Sequence, residues 1–324
     1  MTDVNKAQTA RLLTAKVPPE AGGRRVDQIL VELFPDYSRS RLQAWIKDGQ
    51  VTVDGRLLRP RDKLWGGESL TLNAVESVET PWAGEAIPLH VIYEDDALLV
   101  IDKPAGLVVH PAAGNWEGTL VNALLHYASE LANLPRAGVV HRLDKDTSGL
   151  LVVARTLAAH KSLVTQLQAR TVKREYDAVA AGVMTAGGTV EAPIARHPVD
   201  RKRMAVVGGG REAVSHYRVA RRFRAHTHVK VQLETGRTHQ IRVHMAHIHY
   251  PLVGDPVYGG RLRVPAGCSE ILRETLQHFK RQALHAGALG LLHPASGEAM
   301  NWQVPLPTDM KNLLEILGDD AEFA

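Results

Sequence analysis

The sequence predicts an α+β protein in which helices flank a mixed, mainly antiparallel β-sheet, with a small helix–helix–hairpin module ahead of it. Strand-like segments outnumber helix-like ones and often adjoin as hairpins, which favours antiparallel pairing over regular βαβ units. Two helix-like segments stand near the start of the chain, directly before an extended hairpin. With 324 residues, 44% of them hydrophobic, the chain can fill one large core and one small core.

The small module opens with two short helices. Val26 to Pro35, VDQILVELFP, has apolar residues at helical spacing and stops at the proline. The next segment, SRSRLQAWIKDG, has Ser38 as its N-cap and Gly49 at its end. Asp54-Gly55 follows between two extended runs, which is the strongest short signal for a β-hairpin, and SLTLN alternates as a further strand.

We place this module at residues 22–73, as a small α/β domain after a flexible N-terminus at residues 1–21. Residues 74–86 contain three glutamates, a proline and a glycine but no lysine or arginine. They are therefore expected to form a linker that avoids polyanions. The large domain takes residues 87–324.

The large domain begins with two apolar strands that turn at Asp95-Asp96, followed by a Lys-Pro-Ala-Gly turn at Lys103 to Gly106. Ser148-Gly149 is expected to form a tight turn before a core strand. Helices are expected over Leu157 to Arg170 and Thr238 to Ile248, between alternating segments that supply the other strands.

The placement of charge suggests an interaction with polyanions. The chain has a net charge of +4, and the segment from Arg39 to Lys63, with seven basic and three acidic residues, carries the same net charge by itself. A basic run of this kind is also compatible with an ordinary solvated surface. If it binds RNA phosphates, Arg39, Arg41 and Lys47 of the second helix are the candidate contacts.

Several classes of protein lose support from the sequence. Cys268 is the only cysteine, which excludes an intrachain disulfide, an iron–sulfur cluster and a cysteine-rich zinc site. The start of the chain has no apolar signal-peptide core and no later segment is long and apolar enough to span a membrane, so we expect a soluble, cytoplasmic protein. Gly208 to Ala213 lacks the GK[ST] of a P-loop, and Ser148 does not lie in a GxSxG elbow.

A histidine cluster, His239, His244, His247 and His249, has residue types that can bind zinc. His244 and His247 could share one face of a helix. The cluster contains no HExxH pattern and no acidic residue, so a structural or RNA-facing role is favoured and no metal is expected.

The stretch HRLDKDTSGLL places Asp144 and Asp146 beside Arg142 and Lys145. Residues two apart in an extended segment share a face, so the two carboxylates could be a glycosidase pair, but the spacing assigns neither an acid nor a base role. The basic neighbours suggest instead one carboxylate held in its ionised form, or a plain surface salt bridge.

Four motifs in this order resemble those of the RluA-type pseudouridine synthases. They are KPAGLVVHP, HRLDKDTSGLLVVA, REYDA at Arg174 to Ala178 and LETGRTHQIRVHM at Leu233 to Met245, with RQALHA and LLHP agreeing near the C-terminus. The similarity spans Leu89 to Pro307. The N-terminal module resembles the S4 RNA-binding domain, and this combination is the one seen in members that act on the large ribosomal subunit.

The resemblance implies the pseudouridine synthase fold and a reaction in RNA, in which the N1–C1′ bond of a uridine breaks, the base turns, and C5 joins C1′. It implies a monomeric enzyme with no cofactor and no redox or energy input. The large-subunit members further imply 23S ribosomal RNA as substrate, with the helix 69 stem-loop as target, either in naked RNA or in an assembling 50S particle. A non-catalytic RNA-binding or assembly factor and an enzyme acting on transfer RNA remain alternatives.

The resemblance also implies roles for individual residues. Asp144 is the carboxylate that acts on the ribose, as a nucleophile at C1′ or as a base at C2′, and Arg242 is its ion-pair partner. Tyr176 lies against the target base, where its hydroxyl can assist proton transfer at C5. Arg142 enters the space left by the flipped base. Further RNA contacts are expected at Arg237, Arg201, Lys202 and Arg203.

Overall fold

The computed structural model describes residues 9–35, 37, 39–76, 82–111 and 115–322. The chain divides into two compact units, Met1–Pro81 and Trp82–Ala324, and each buries hydrophobic residues of its own. Across these described ranges, every helix is too short or too polar to traverse a lipid bilayer.

The N-terminal unit has the predicted helix–helix–hairpin order. Its elements are β1 (Thr9–Lys16), α1 (Val26–Leu33), α2 (Arg39–Lys47), β2 (Val51–Val53), β3 (Arg56–Leu57) and β4 (Ser69–Glu76). Within the described residues these strands form one antiparallel sheet in the order β1-β4-β2-β3. The apolar positions that predict the helices are buried, since Ile29 and Leu30 of α1 pack in one cluster with Leu42 and Ile46 of α2 and with Leu72 of the sheet.

The hairpin turn forms at Asp54-Gly55, as predicted. Both residues have positive φ, 50° at Asp54 and 77° at Gly55, which gives a turn whose twist matches that of the paired strands. The Asp54 carboxylate also accepts a hydrogen bond from the Ser69 backbone N–H at 2.9 Å and so ties the turn to β4. Ser38, the expected N-cap of α2, lies outside the described residues.

The prediction of a flexible N-terminus at residues 1–21 is wrong for the part that the structure describes. β1 pairs with β4 along its full length, and a short 3₁₀ turn follows at Pro19–Ala21. β1 lies at the edge of the sheet and needs few apolar residues to pack; these are Leu13, Ala15 and, just after the strand, Val17. One leucine with two smaller residues is too weak an alternating pattern to signal a strand. Residues 1–8 lie outside the described ranges.

The linker predicted at residues 74–86 is wrong at both ends. β4 continues through Glu76, and residues 77–81 are not among those described. From Trp82 the chain belongs to the larger unit, where the Glu85 carboxylate accepts hydrogen bonds from the Gly118 backbone N–H at 3.0 and 3.1 Å. The composition of a segment does not show whether its glutamates bind backbone N–H groups or face solvent. The sequence therefore predicts a linker where the chain is already part of the larger unit.

The larger unit contains a mixed, mainly antiparallel sheet flanked by helices, which confirms the predicted fold class. Its strands are β5 (Val91–Glu94), β6 (Leu98–Lys103), β7 (Ser148–Ala154), β8 (Lys173–Ala181), β9 (Gly188–Glu191), β10 (Ile194–Arg196), β11 (Met204–Val206), β12 (Val214–Arg222), β13 (His226–Leu233), β14 (Leu284–Leu292) and β15 (Ala299–Gln303). Its helices are α3 (Leu120–Tyr127), α4 (Leu157–Gln168), α5 (Gln240–His247), α6 (Glu270–His278) and α7 (Thr308–Glu322). Both α4 and α5 lie inside the ranges predicted for them.

The strand order of the main sheet is β5-β6-β7-β14-β8-β13-β12-β9, with β15 also paired to β14. Among the described strands, β7 and β14 run parallel and the other neighbours run antiparallel. β10 and β11 form a separate two-stranded ribbon. The antiparallel hairpin at Asp95-Asp96 connects β5 to β6, as predicted.

The strand β7 is buried in the middle of this sheet. All seven of its residues are buried, and it pairs with β6 on one side and β14 on the other. Gly149 makes the parallel pairing possible, because its φ is 113° and a Cβ there would overlap the Ala286 carbonyl oxygen. The tight turn expected at Ser148-Gly149 is therefore wrong, since these residues are the start of the strand itself.

Candidate active site

Asp144 lies on the short loop that enters β7. The loop turns at once, with the Thr147 backbone N–H donating to the Asp144 carbonyl at 3.1 Å. The extended geometry on which a glycosidase pair of Asp144 and Asp146 depends is therefore absent from this loop. The Asp144 side chain is 18% exposed and faces a cavity of about 1200 Å³.

Lys103 anchors this loop to the Lys-Pro-Ala-Gly turn. Its buried Nζ donates hydrogen bonds to the carbonyl oxygens of Pro104 at 2.7 Å and of Leu107 and Lys145 at 2.9 Å. The Gly106 N–H donates to the same Lys145 oxygen at 2.9 Å. Burial lowers the pKa of Lys103 to about 8. The turn thus shapes the Asp144 loop, the structural role expected for it.

Arg242 of α5 forms the ion pair with Asp144 that the resemblance implies. Its Nη1 lies 3.0 Å from Asp144 Oδ2, and its side chain is only 6% exposed. Burial alone would lower the pKa of Arg242, but the hydrogen bonds and charges of Asp255 and Asp144 raise it above its ordinary value. Arg242 is therefore a permanent cation beside the Asp144 carboxylate.

Tyr176 on β8 lines the same cavity as Asp144. The residue is 6% exposed and belongs to the main hydrophobic cluster of the unit. Burial raises the pKa of its hydroxyl, which is therefore protonated at neutral pH. A ring in this wall can pack against a base whose sugar reaches Asp144.

The predicted RNA contacts of the larger unit divide into two groups. Arg142 and Arg237 line the cavity beside Asp144. The run from Arg201 to Arg203 lies instead in the turn between β10 and β11 and is not among the residues that line the cavity. There the Arg203 guanidinium lies over the Tyr258 ring, 5.3 Å from its centroid.

The predicted contacts of the N-terminal unit have different surroundings. Arg39 is half-exposed, and its Nη2 donates to the buried Asp27 carboxylate at 2.9 Å. The Arg41 guanidinium lies 5.3 Å from the centroid of the Trp45 ring, and Lys47 is exposed at the end of α2. Arg39 thus stabilises the fold of the unit in addition to any RNA contact.

Two further groups around the Asp144–Arg242 pair, Asp255 and His239, were not placed there from the sequence. Asp255, in the loop after α5, binds the far edge of Arg242, with Nε–Oδ2 at 2.7 Å and Nη2–Oδ1 at 2.9 Å. His239 Nε2 lies 3.9 Å from Asp144 Oδ1. His239 was considered only as a member of the histidine cluster, although it stands three residues before Arg242. Asp255 reaches its partner through a loop and has no local signal.

Four more arginines line the cavity and were also missed, because they come from separate segments: Arg136, Arg170, Arg174 and Arg211. Of the four histidines in the predicted cluster, His239 lies near Asp144, whereas His247 and His249 are exposed. His244 is buried, with Nδ1 2.9 Å from Ser215 Oγ and Nε2 3.0 Å from the Ala192 carbonyl oxygen, which fits a structural role. In the described part of the chain, no three His, Cys, Asp or Glu side chains form a group suited to a metal ion.

Comparisons with known proteins point to one family. A family model described as RNA pseudouridylate synthase matches residues 97–247, and one described as S4 domain matches residues 24–69. The ribosomal large subunit pseudouridine synthase D of Pseudomonas aeruginosa is 61% identical over 308 residues, covering 95% of this chain and 96% of that protein. The protein of the same name from Escherichia coli strain K12 is 55% identical over 311 residues, covering 96% of this chain and 95% of that protein.

Two solved human structures resemble this chain. Human RNA Pseudouridylate Synthase Domain Containing 4 has a TM-score of 0.56 and 27% identity, covering 71% of this chain and 93% of that chain. Human RNA Pseudouridylate Synthase Domain Containing 1 has a TM-score of 0.51 and 22% identity, covering 72% of this chain and 96% of that chain. The second likeness concerns the fold alone.

Proposed function

The chain belongs to the RNA pseudouridylate synthase family, and we propose from that membership that it isomerises uridines of large-subunit ribosomal RNA. Relatives named for that substrate are 55–61% identical over nearly the whole chain. The S4 match coincides with the basic module, which supports binding to structured RNA. By likeness to these relatives, the proposed target is the helix 69 stem-loop of 23S ribosomal RNA.

The observation that carries the proposal is the Asp144–Arg242 ion pair in the cavity wall. Asp144 acts on the ribose, as a nucleophile at C1′ or as a base at C2′. Either route breaks N1–C1′ and forms C5–C1′; C5 loses a proton and N1 gains one, so no oxidant or reductant is required. Because Arg242 binds Oδ2, Oδ1 is the oxygen that meets the sugar.

The cavity has the features needed to retain a detached uracil. Tyr176 packs against the base, and its protonated hydroxyl assists proton transfer at C5. The surrounding protein restricts the water and the escape routes available to the loose base. The fixed positive charge of Arg242 stabilises the Asp144 anion throughout the reaction without reorganisation of solvent.

The target nucleotide must leave its stack before the sugar can reach Asp144, at a cost of a few kcal/mol. Arg142 lies next to the Asp144 loop, and we assign it to the space that the base vacates. A guanidinium suits this task because it stacks on bases and also binds phosphate. Arg237, in the wall of the same cavity, is assigned to the RNA backbone.

The test is site-by-site mapping of pseudouridine in ribosomal RNA from cells that lack this gene, complemented with wild type or with Asp144→Asn. We expect particular large-subunit sites, in helix 69, to disappear on deletion and to return only with wild type. Purified Asp144→Asn should bind the RNA with nearly normal affinity and form no pseudouridine.

Each other outcome contradicts a defined part of the proposal. Full activity of Asp144→Asn removes the role of this carboxylate. Sites that return elsewhere in the large subunit change the target stem-loop only. If no ribosomal site changes, ribosomal RNA is not the substrate, and transfer RNA is the next to be mapped. If Asp144→Asn restores every defect of the deletion strain, the biological task is RNA binding.

A further inference from the structure

A second buried carboxylate stands behind the candidate active site. Asp255 lies in the loop between α5 and α6, and its side chain has no solvent exposure. Its Oδ1 accepts hydrogen bonds from the Val257 and Tyr258 backbone N–H groups at 2.9 Å each. Burial alone would raise its pKa, but hydrogen bonds and the charge of Arg242 hold the pKa below the usual value. Asp255 is thus a buried anion with a full set of partners.

Asp255 determines the orientation of Arg242. It accepts two hydrogen bonds from one edge of the guanidinium, from Nε at 2.7 Å and from Nη2 at 2.9 Å. A guanidinium held in this way cannot rotate without breaking both bonds. Its other terminal nitrogen, Nη1, then lies 3.0 Å from Asp144 Oδ2. Since Asp144 is partly exposed and Asp255 is not, the buried fork sets the direction in which the shared guanidinium points.

The same loop is also linked, through His239, to the other oxygen of Asp144. The Tyr258 hydroxyl accepts the Met204 N–H at 2.9 Å and lies 2.8 Å from His239 Nδ1. The Tyr258 hydroxyl thus ties the His239 ring to the loop that contains Asp255. Nε2 lies 3.9 Å from Asp144 Oδ1. Both oxygens of Asp144 therefore face nitrogen atoms whose positions depend on the loop that contains Asp255.

We propose that Asp255 is a positioning residue that aligns the reacting carboxylate of Asp144 through Arg242, with Tyr258 and His239 as a second support. The inference rests on the proposed function, in which Asp144 acts on the ribose. Asp255 does not touch the substrate, because it is enclosed by Arg242 and its own loop. A misplacement of about 1 Å at a reacting group can cost about 100-fold in rate.

The test compares full-length Asp255→Asn with wild type on a transcript of the helix 69 stem-loop. Asparagine keeps the size of the side chain but turns one acceptor into an NH₂ group, which cannot accept from the guanidinium. We expect kcat to fall about 100-fold while KM stays within about twofold. A folded Asp255→Asn variant with kcat within about threefold of wild type, or with a loss in KM alone, overturns the proposal.

Asp177→Asn is the matched control for loss of a buried charge. Asp177 is buried on β8 of the same unit, with Oδ1 2.7 Å from His228 Nε2 and Oδ2 2.9 Å from Lys230 Nζ. This variant should lose thermal stability and keep its kcat. An equal loss of kcat in both variants would assign the effect to general destabilisation and overturn the positioning role.

If Asp255→Asn does not fold, the positioning role is tested on the wild-type protein. Nitrogen-15 NMR of the arginine side chains should show slow exchange of the Arg242 Nε–H and hindered rotation of its guanidinium. An Arg242→Lys variant identifies the signal by its loss. A freely rotating Arg242 with rapidly exchanging Nε–H overturns the proposal.

Asp144→Asn, assayed on the same transcript, separates the two proposals. If Asp144→Asn is inactive and Asp255→Asn is fully active, the positioning role alone fails. If Asp144→Asn is active, the proposed function fails, and the role of Asp255 fails with it. If Asp144→Asn is inactive and Asp255→Asn loses activity through kcat, both proposals are supported.

Discussion

The Tyr176 side chain has a ring that packs and a hydroxyl that can transfer a proton, and replacing the tyrosine by phenylalanine separates the two. Its ring belongs to the main hydrophobic cluster, together with residues of β13 and α5. Its hydroxyl is the only part of the side chain that can transfer a proton. Removing that hydroxyl leaves the packing of the ring unchanged and so isolates the chemical contribution.

We expect Tyr176→Phe to lower kcat by about 100-fold or more, the usual size of a general acid–base contribution. RNA affinity and thermal stability should stay close to wild type, because the ring still packs in the core and against the base. Single-turnover rates and a binding isotherm on the same transcript check this. Tyr217→Phe, on strand β12 of the same sheet, is the control and should be normal. A Tyr176→Phe enzyme with normal kcat would leave the residue a stacking role only.

His226, the first residue of β13, is buried and neutral. Burial lowers its pKa to about 4, from 6.5 in an unfolded chain. Between these two pH values the unfolded state binds more protons than the folded state, so stability falls as the pH falls through this window. Well above pH 6.5 neither state is protonated, and this histidine has no effect on the pH dependence.

Replacing His226 by Phe should therefore flatten the acid side of the stability profile. The slope between pH 6.5 and about 4 is expected to decrease by up to about 1.4 kcal/mol per pH unit. Urea unfolding at a series of pH values measures it, with the exposed His126→Phe as control. An unchanged slope in His226→Phe would mean that this histidine is protonated equally in both states.

The Asp144 loop leads directly into β7, so its position depends on the parallel pairing of β7 with β14. Gly149 permits it for two reasons, a left-handed φ of 113° and a close approach to the Ala286 carbonyl. Gly297 has a positive φ of 76° but open space around it. The two glycines therefore differ in packing and share the backbone requirement.

Gly149→Ala should destabilise the protein by several kcal/mol, because β7 and β14 must move apart to relieve the overlap between the new Cβ and the Ala286 carbonyl oxygen. Gly297→Ala should cost only about 1–2 kcal/mol, the penalty of a left-handed backbone. Chemical denaturation of both variants gives the comparison. Equal losses would mean that the sheet adapts to the added methyl group and that φ alone matters.

Most helices and strands could be predicted because each has a strong pattern within its own short stretch of sequence. β6 and β7 have continuous apolar runs, and Asp54-Gly55 has a turn chemistry that few other structures accept. β1 was missed because an edge strand needs little apolar surface. In the site, the motifs gave Asp144 and Arg242, while Asp255 was missed because a buried ion partner reached through a loop leaves no periodic trace in the chain.

The molecule as a whole carries its positive charge unevenly. In the N-terminal unit, basic residues accumulate on α2 and in the segment after it, whereas in the larger unit arginines from several segments converge on one cavity. Charge in the first unit is exposed, as at Lys47, and suits contact with phosphates along a folded RNA. Under the proposed function, the charge in the cavity acts on one nucleotide.

Lys47→Gln in the full-length protein should weaken binding to ribosomal RNA and reduce the slope of log K against log salt by about 0.7–0.9 if the side chain neutralises one phosphate. Its kcat should be unaffected. Binding isotherms at several salt concentrations check this, with Lys311→Gln on α7 as control. An unchanged slope would place Lys47 outside the RNA contact surface.

Lys103 donates hydrogen bonds to three carbonyl oxygens, and this affects which step of the reaction is expected to be slow. A loop closed by a buried ammonium is already in its working shape, so little conformational entropy is lost on the protein side when RNA arrives. Under the proposed function, we therefore expect the slow movement to be the flipping of the nucleotide out of the RNA stack. Turnover should accordingly follow how loosely the RNA holds its uridine, with a mismatched or unstacked nucleotide isomerised faster than a paired one.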